Sequence, residues 1–324
     1  MRVAAVAVLC LLAGLPVTRA QDVVAPREQI PLGTPEVGLP KTCENLAVYV
    51  LENPKARSLD GFITLEEGLR ANKVRVSEKP QAQVNELVID NGSTKSLFLQ
   101  AGDVVRGGHQ DRAIAADLVI PPKTRRVSVP SFCVEHDRWG GMTTFGSTTG
   151  LVVGAQLRSA IQKEKDQQKV WDAVARAKEN LIAANSLRES QSGSLNEQLL
   201  DAAVQRRLAG FMKELGKACD KNPKAVGLVT AINGKVSTAD VYADPSLFQK
   251  LYPRLLASAA LEAMSVPADA SGVPSVREVT RFLARADQAK PGGKGAGGVR
   301  EDARSVQFSF VAESVELHRQ ALAK

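Results

Sequence analysis

Residues Val226–Pro245 read VGLVTAINGKVSTADVYADP. Two β-prone runs, Val226 to Ile232 and Lys235 to Tyr242, flank Asn233-Gly234. Asparagine and glycine tolerate the positive φ angles of a type I′ turn, so the stretch predicts a two-residue hairpin. Asp244-Pro245 then opens a helix, with the aspartate as cap and the proline in the first turn. That helix runs toward Met264 and is expected to kink or split at Pro253, where an amide donor is missing. A hairpin feeding directly into a helix makes this a mixed α and β chain.

Upstream, Cys43 to Trp139 reads mostly as short strands. Leu46 to Leu51 is apolar and β-rich. Thr64 and Glu67 form a capping box ahead of Leu65, Leu69 and Ala71, predicting one short helix. Val74 to Val76 and Val84 to Ile89 read as strands, and Asn91-Gly92 is expected to turn the chain into Leu97-Phe98-Leu99. Ala113 to Ile120 and Arg125 to Val129 read as a strand pair across Pro121-Pro122. This spacing predicts an antiparallel β-sandwich or a barrel-like sheet.

Leu151 to Leu187 reads as helix, with Lys163 to Gln168 as an exposed turn of it. Ser194 and Glu197 make a second capping box before an apolar face running from Leu199 to Leu215. The two helices are expected to form an inserted antiparallel hairpin. Pro274-Ser275 starts a further helix through Phe282 and Leu283, and Pro291 to Gly298 is a glycine-rich loop. Val306 to Phe310 and Val315 to Leu317 read as a last strand pair. A lone two-stranded hairpin is marginally stable, so this pair is expected to rejoin the N-terminal sheet. The fold class is therefore α+β: an antiparallel sandwich or barrel-like sheet with inserted helices and C-terminal helices.

The chain opens with Met1-Arg2, an apolar run from Val3 to Leu15, and small residues at Thr18 and Ala20. A short positive start, an apolar stretch too short to span a bilayer and a small-residue cleavage site are the parts of a secretory signal peptide. Residues 1–20 are read as that leader, with Gln21 first in an exported periplasmic or extracellular protein. No later run has the length and apolarity of a membrane span. Residues 21–41 carry Pro26, Pro31, Pro35 and Pro40 and read as a flexible tether; 42–320 then form a single α+β domain.

The formal charge of +7 includes Arg2 and Arg19; without them 40 basic residues stand against 35 acidic ones. The two signs are interspersed, and aromatic residues make up only 4% of the chain, so a nucleic-acid track with a stacking platform is excluded. Cys43, Cys133 and Cys219 remain after the leader. That is too few for a disulfide scaffold, and one bridge, Cys43 to Cys133, is the pairing expected if any forms. No CxxC spacing supports zinc.

Chemistry is densest in Ala101 to Arg112, AGDVVRGGHQDR. Gly107-Gly108 permits a sharp turn that aims N–H groups at an anion, and Arg106 and Arg112 flank it. The alternative is a tight turn between strands with solvated charges. Neither a Rossmann nor a P-loop glycine pattern is present. Phe132 to Trp139, FCVEHDRW, is the second cluster. Cys133 is a candidate nucleophile beside His136 or His109, or a buried structural thiol. Asp103 and Glu135 are candidate acid/base groups. The spacing of His109, Asp111, Glu135 and His136 matches no ligand motif, so no metal is assigned, and no cofactor is named.

The run AGDVVRGGHQDRAIAADLVIPPKTRRVSVPSFCVEHDRW, with GLVTAINGKVSTADVYADPSLFQKLYPRLL later, resembles the ARG- and rhodanese-phosphatase-associated protein domain family. That family is named for genomic association with ADP-ribosylglycohydrolases and rhodanese- or phosphatase-type domains. The resemblance covers about Cys43 to His318. It implies family positions at Gly102-Asp103, Gly107-Gly108, Gln110, Arg112, Cys133, Glu135, Arg138 and Trp139, and it implies no reaction.

Two readings follow. In one, the protein binds or acts on ADP-ribose-like or phosphorylated sugar ligands. Gly107, Gly108, Gln110, Arg112, Arg138 and Trp139 then hold a small anionic ligand, while Asp103 and Glu135 contact hydroxyls or move protons. In the other, it is an exported binding or interaction module that takes a protein or cell-envelope partner through its sheet edge or helical hairpin, and Gln110, Arg112, Glu135, Arg138 and Trp139 form a buried polar network that fixes the fold. The second is preferred for an exported chain. In both, the 103–112 and 132–139 segments form one site.

Overall fold

The computed structural model describes residues 32–79, 85–135, 143–188, 198–288, 290–291, 298–312 and 315–324. Its first strands are β1 (Glu36–Val37), β2 (Lys41–Cys43), β3 (Leu46–Glu52) and β4 (Phe62–Thr64), followed by α1 (Leu65–Arg70). Then come β5 (Val74–Glu78), β6 (Glu86–Asn91), β7 (Ser96–Leu99), β8 (Asp103–Gly107), β9 (Arg112–Ile114), β10 (Leu118–Ile120), β11 (Val127–Cys133) and β12 (Thr144–Val152). Helices α2 (Ala155–Ser159), α3 (Gln167–Asn185) and α4 (Ala202–Leu215) precede β13 (Ala225–Ile232) and β14 (Lys235–Tyr242). The chain ends with α5 (Pro245–Met264), α6 (Val276–Gln288), β15 (Lys290–Pro291), β16 (Gly298–Glu301), β17 (Ser305–Ala312) and β18 (Val315–Ala323).

Two β bodies result. Strands β11-β6-β5-β12-β8-β9 close into a six-stranded barrel, and β1-β3-β13-β14-β18-β17-β16-β15 form a large antiparallel sheet with β2 paired to β3. A small sheet, β10-β7-β4, lies beside the barrel, and its β4–β7 pair is parallel. Strand alternation explains how the bodies join. Successive side chains of a strand point to opposite faces. On β7, Leu97 and Leu99 enter the barrel core with Val76, Ile89, Val105 and Phe145, while Phe98 enters the core under the large sheet. There Phe98 meets Tyr242 edge-on at 6.2 Å.

The large sheet is covered on both faces at β3. Leu46, Val48 and Val50 of β3 pack with Phe248 and Tyr252 of α5, while Ala47, Tyr49 and Leu51 pack with Val279 and Leu283 of α6. This is why β3 reads as an unbroken apolar run rather than an alternating one.

The predicted hairpin is present: Asn233 and Gly234 have φ of 46° and 69°, and Ile232 pairs with Lys235. Asp244 caps α5 through Ser246 N, and Thr64 and Glu67 close their capping box. Helix α5 continues through Pro253 as one element. The last strands rejoin the sheet, β18 pairing with β14 from Thr238–Leu322 to Tyr242–His318.

Several local expectations are corrected. Asn91-Gly92 closes no hairpin, because β6 pairs with β5 and β11 while β7 leaves for the small sheet. Strands β10 and β11 do not pair across Pro121-Pro122; β10 pairs with β7, and β11 with β6 and β9. Residues 151–187 are not one helix. Strand β12 extends to Val152, Lys165 turns left-handed at φ 52°, and Asp166 caps a new helix through Lys169 N. The charged stretch therefore marks a helix break rather than an exposed turn of continuous helix. Ser194 lies outside the described residues, and the cap of α4 is Asp201. Both α3 and α4 rest on α5, and Arg207 of α4 donates to Asn185 of α3 at 2.7 Å. Helix α6 is longer than predicted, and Ser275 and Glu278 cap it reciprocally. Cys43, Cys133 and Cys219 are all free thiols, so the expected Cys43–Cys133 bridge is absent: Cys43 sits by the large-sheet core and Cys133 on the barrel. Among the described residues no helix is long and apolar enough to cross a membrane.

Candidate functional site

The β8–β9 turn is pressed onto β12, and the glycine pair makes that approach feasible. Gly107 has φ 123° and Gly108 φ 58°. A Cβ on Gly107 would lie 2.9 Å from Thr144 O, and one on Gly108 would lie 2.5 Å from Phe145 Cζ. The N–H groups of the turn are engaged inside the protein. Gly107 N donates to Asp111 Oδ1 at 3.1 Å, Gly108 N to Thr144 O at 3.1 Å and His109 N to Glu78 Oε1 at 2.9 Å. The His109 Nδ1 also pairs with Glu78 Oε2.

Arg112 is only 2% exposed. Its Nη1 donates to Cys133 Sγ at 2.8 Å and Gln110 Oε1 at 3.4 Å, and its Nη2 lies 3.6 Å from Glu78 Oε1. The β9–β11 register sets Arg112 opposite Cys133, and Asp111 N donates to Glu135 Oε2 at 3.1 Å. Burial pushes the Cys133 thiol up, and Arg112 partly offsets this. The structure thus brings together Gly107, Gly108, Gln110, Arg112, Cys133 and Glu135, and adds Glu78, which no local motif marks. Arg138, Trp139 and His136 lie outside the described residues.

Asp103 belongs to a different network. Its Oδ1 lies 2.8 Å from Arg254 Nη2 of α5, and its Oδ2 accepts from Gln100 N at 3.0 Å. Burial raises its pKa against the opposing pull of Arg254. A second line of buried charge crosses from the barrel side to the sheet. Asp117 accepts from Ala101 N at 2.7 Å and faces His318 Nδ1. Asp240 Oδ1 gathers His318 Nε2 at 3.2 Å, Arg158 Nη1 at 2.8 Å and Gln320 Nε2 at 2.9 Å. The imidazole stacks on Tyr242 with centroids 4.4 Å apart.

A cavity of about 360 Å³ opens between α2, α3, the β13–β14 turn and α5, with Val104 and Val134 of the barrel contributing to its wall. Its lining is mostly apolar, and Ser237, Ser258 and Glu262 supply polar groups. Glu262 Oε1 accepts from Ser237 Oγ at 3.3 Å, and the carboxylate also takes the Ala155 N–H at the start of α2. Burial raises the Glu262 pKa, with Arg158 opposing. Pockets of this size and character are where small molecules bind in folded proteins. Five separate elements converge on it, so no contiguous motif announces it. Among the described residues no group of three or more His, Cys, Asp or Glu side chains is arranged to hold a metal ion.

A closed barrel set against a two-faced antiparallel sheet, joined by buried charges and flanked by an apolar cavity, defines an α+β protein of barrel-and-sheet type. The chain belongs to the ARG and Rhodanese-Phosphatase-superfamily-associated Protein domain family, whose model matches residues 34–323. Comparison with curated proteins and with solved structures gives no match.

Proposed function

We propose that this chain is an exported binding module whose ligand occupies the cavity between α2, α3, the β13–β14 turn and α5, and whose Gly107–Arg112 cluster is scaffold. The observation that carries this reading is a contrast. The turn's N–H groups and the Arg112 guanidinium already have protein partners, whereas the cavity presents about 360 Å³ of largely apolar space. Ligand sites of this kind combine an apolar body with a few placed polar groups.

The test uses the solvatochromic dye Nile red. Its fluorescence is expected to rise on binding, and Ala177→Phe or Ser237→Leu, both in the cavity wall, should abolish the rise while leaving the melting temperature near that of the parent. Unchanged dye binding in both variants would overturn the cavity as the site. ADP-ribose or inorganic phosphate binding that disappears in Arg112→Lys would instead place the ligand at the cluster. Export is tested separately by N-terminal sequencing of protein recovered from its own host: Gln21 is expected first, and a retained Met1 in the mature pool would refute it.

A further inference from the structure

We propose that the cavity selects an amphipathic amine, a ligand with an apolar body and one cationic head set against Glu262. The inference rests on the cavity being the ligand site and adds the chemical class of what it takes. Among the described lining residues Glu262 is the one carboxylate and Lys235 the one cation. The two differ in surroundings. Lys235 is exposed, so water solvates its ammonium group; Glu262 is half-buried in a wall it shares with apolar residues such as Leu157 and Leu261. A charge interaction is worth far more in low-dielectric surroundings than in water, so Glu262 governs recognition and Lys235 contributes little.

The neighbouring ion pairs point the same way. Beside the cavity Arg158 pairs with Asp240, and His318 lies between Asp240 and Asp117. Arg158, whose charge acts on Glu262, gives its Nη1 to Asp240 at 2.8 Å. Those four groups pair with one another, whereas Glu262 is bonded to Ser237 and Ala155. A carboxylate has roughly four acceptor positions, and among the described residues Ser237 and Ala155 are the donors to this one. An ammonium head brings a positive charge and further donors to the Glu262 carboxylate, and the Leu157, Val174 and Leu181 wall receives the apolar body.

The experiment measures calorimetric binding of 4-phenylbutylamine, 4-phenylbutan-1-ol and 4-phenylbutyrate to the full chain, with Nile red binding run in parallel. The amine is expected to bind about tenfold more tightly than the alcohol, the weight of one charge-assisted hydrogen bond. Glu262→Gln keeps an acceptor for the Ala155 N–H, and should erase that preference while leaving alcohol binding intact. Equal affinity of amine and alcohol, or tightest binding of the carboxylate with loss in Lys235→Gln, overturns the proposal. Nile red binding without any preference for the amine sinks the amine assignment alone. No binding of the dye or of any of the three compounds sinks the cavity reading with it.

Discussion

His318 Nδ1 stands 2.5 Å from Asp117 Oδ2, while the other nitrogen of the same ring reaches Asp240 Oδ1 at 3.2 Å, so one imidazole links a barrel-side loop to strand β14. Burial alone would lower its pKa; the two carboxylates outweigh burial and raise it from 6.5 to about 9. A folded value above the unfolded one means the charged ring stabilises the fold. That contribution is complete below pH 6.5 and is lost as pH rises through about 9. Unfolding free energy measured in urea between pH 6 and 10 should decline across this window, by on the order of 3 kcal/mol at most. His318→Gln should flatten the decline. The same slope in parent and variant would show that another group is responsible.

Arg254 and Asp103 form a buried pair that ties α5 to the start of β8. Removing one member of such a pair leaves an uncompensated buried charge, which costs about 3–5 kcal/mol. Arg254→Met is therefore expected to destabilise severely. Asp103→Asn combined with Arg254→Met should recover much of the loss, because neither charge then remains. Equilibrium denaturation of the four proteins in this cycle measures the coupling, and additive single effects would contradict it.

The parts of the fold legible in the sequence are those written in local chemistry. Asn233-Gly234, Asp244-Pro245 and the Thr64–Glu67 box each carry their own partner within a few residues. Asn91-Gly92 carries the same dipeptide signal, yet Asn91 is buried and donates its amide to Lys95 O, Ile120 O and Pro121 O, the last two about 30 positions away. Tertiary bonding overrides the turn preference there. The candidate site divides in the same manner. Arg112, Cys133 and Glu135 were legible because β9 and β11 are close in sequence and pair directly. Glu78 lies 31 residues from His109, Arg254 lies 154 from Gln100 and His318 lies 201 from Asp117. Those meetings depend on barrel closure and on β18 joining β14, which no single segment encodes.

Gly107 and Gly108 should differ in their tolerance of alanine. At Gly107, φ 123° is hostile to any side chain, and the new Cβ would press on the backbone oxygen of Thr144 at 2.9 Å. At Gly108, φ 58° is the milder left-handed region, and the obstacles are side-chain atoms, the ring end of Phe145 and the Glu78 carboxylate, rather than backbone. Gly107→Ala is expected to cost about 2–3 kcal/mol and Gly108→Ala about 1–2 kcal/mol. Gly146→Ala, with no neighbour within 4 Å of its Cβ, serves as the control and should be close to neutral. Chemical denaturation gives the order, and the reverse order would refute the packing account of this turn.

Thiol chemistry separates a structural Cys133 from a reactive one. Cys133 is 1% exposed and Cys219 4%, whereas Cys43 is half-buried. Burial raises the pKa of all three thiols, that of Cys219 to about 11. A thiolate is the reactive form, so a raised pKa together with burial suppresses reaction. Titration of the native protein at pH 8 with an aromatic disulfide reagent should modify Cys43 slowly and spare the other two. Unfolding should then release all three in a chain beginning at Gln21. Arg112 lowers the Cys133 pKa through its charge, so Arg112→Met should leave the thiol still less acidic rather than activate it. Rapid native modification of Cys133, slowed by Arg112→Met, would instead identify an Arg-activated nucleophile and return the cluster to the list of reactive sites.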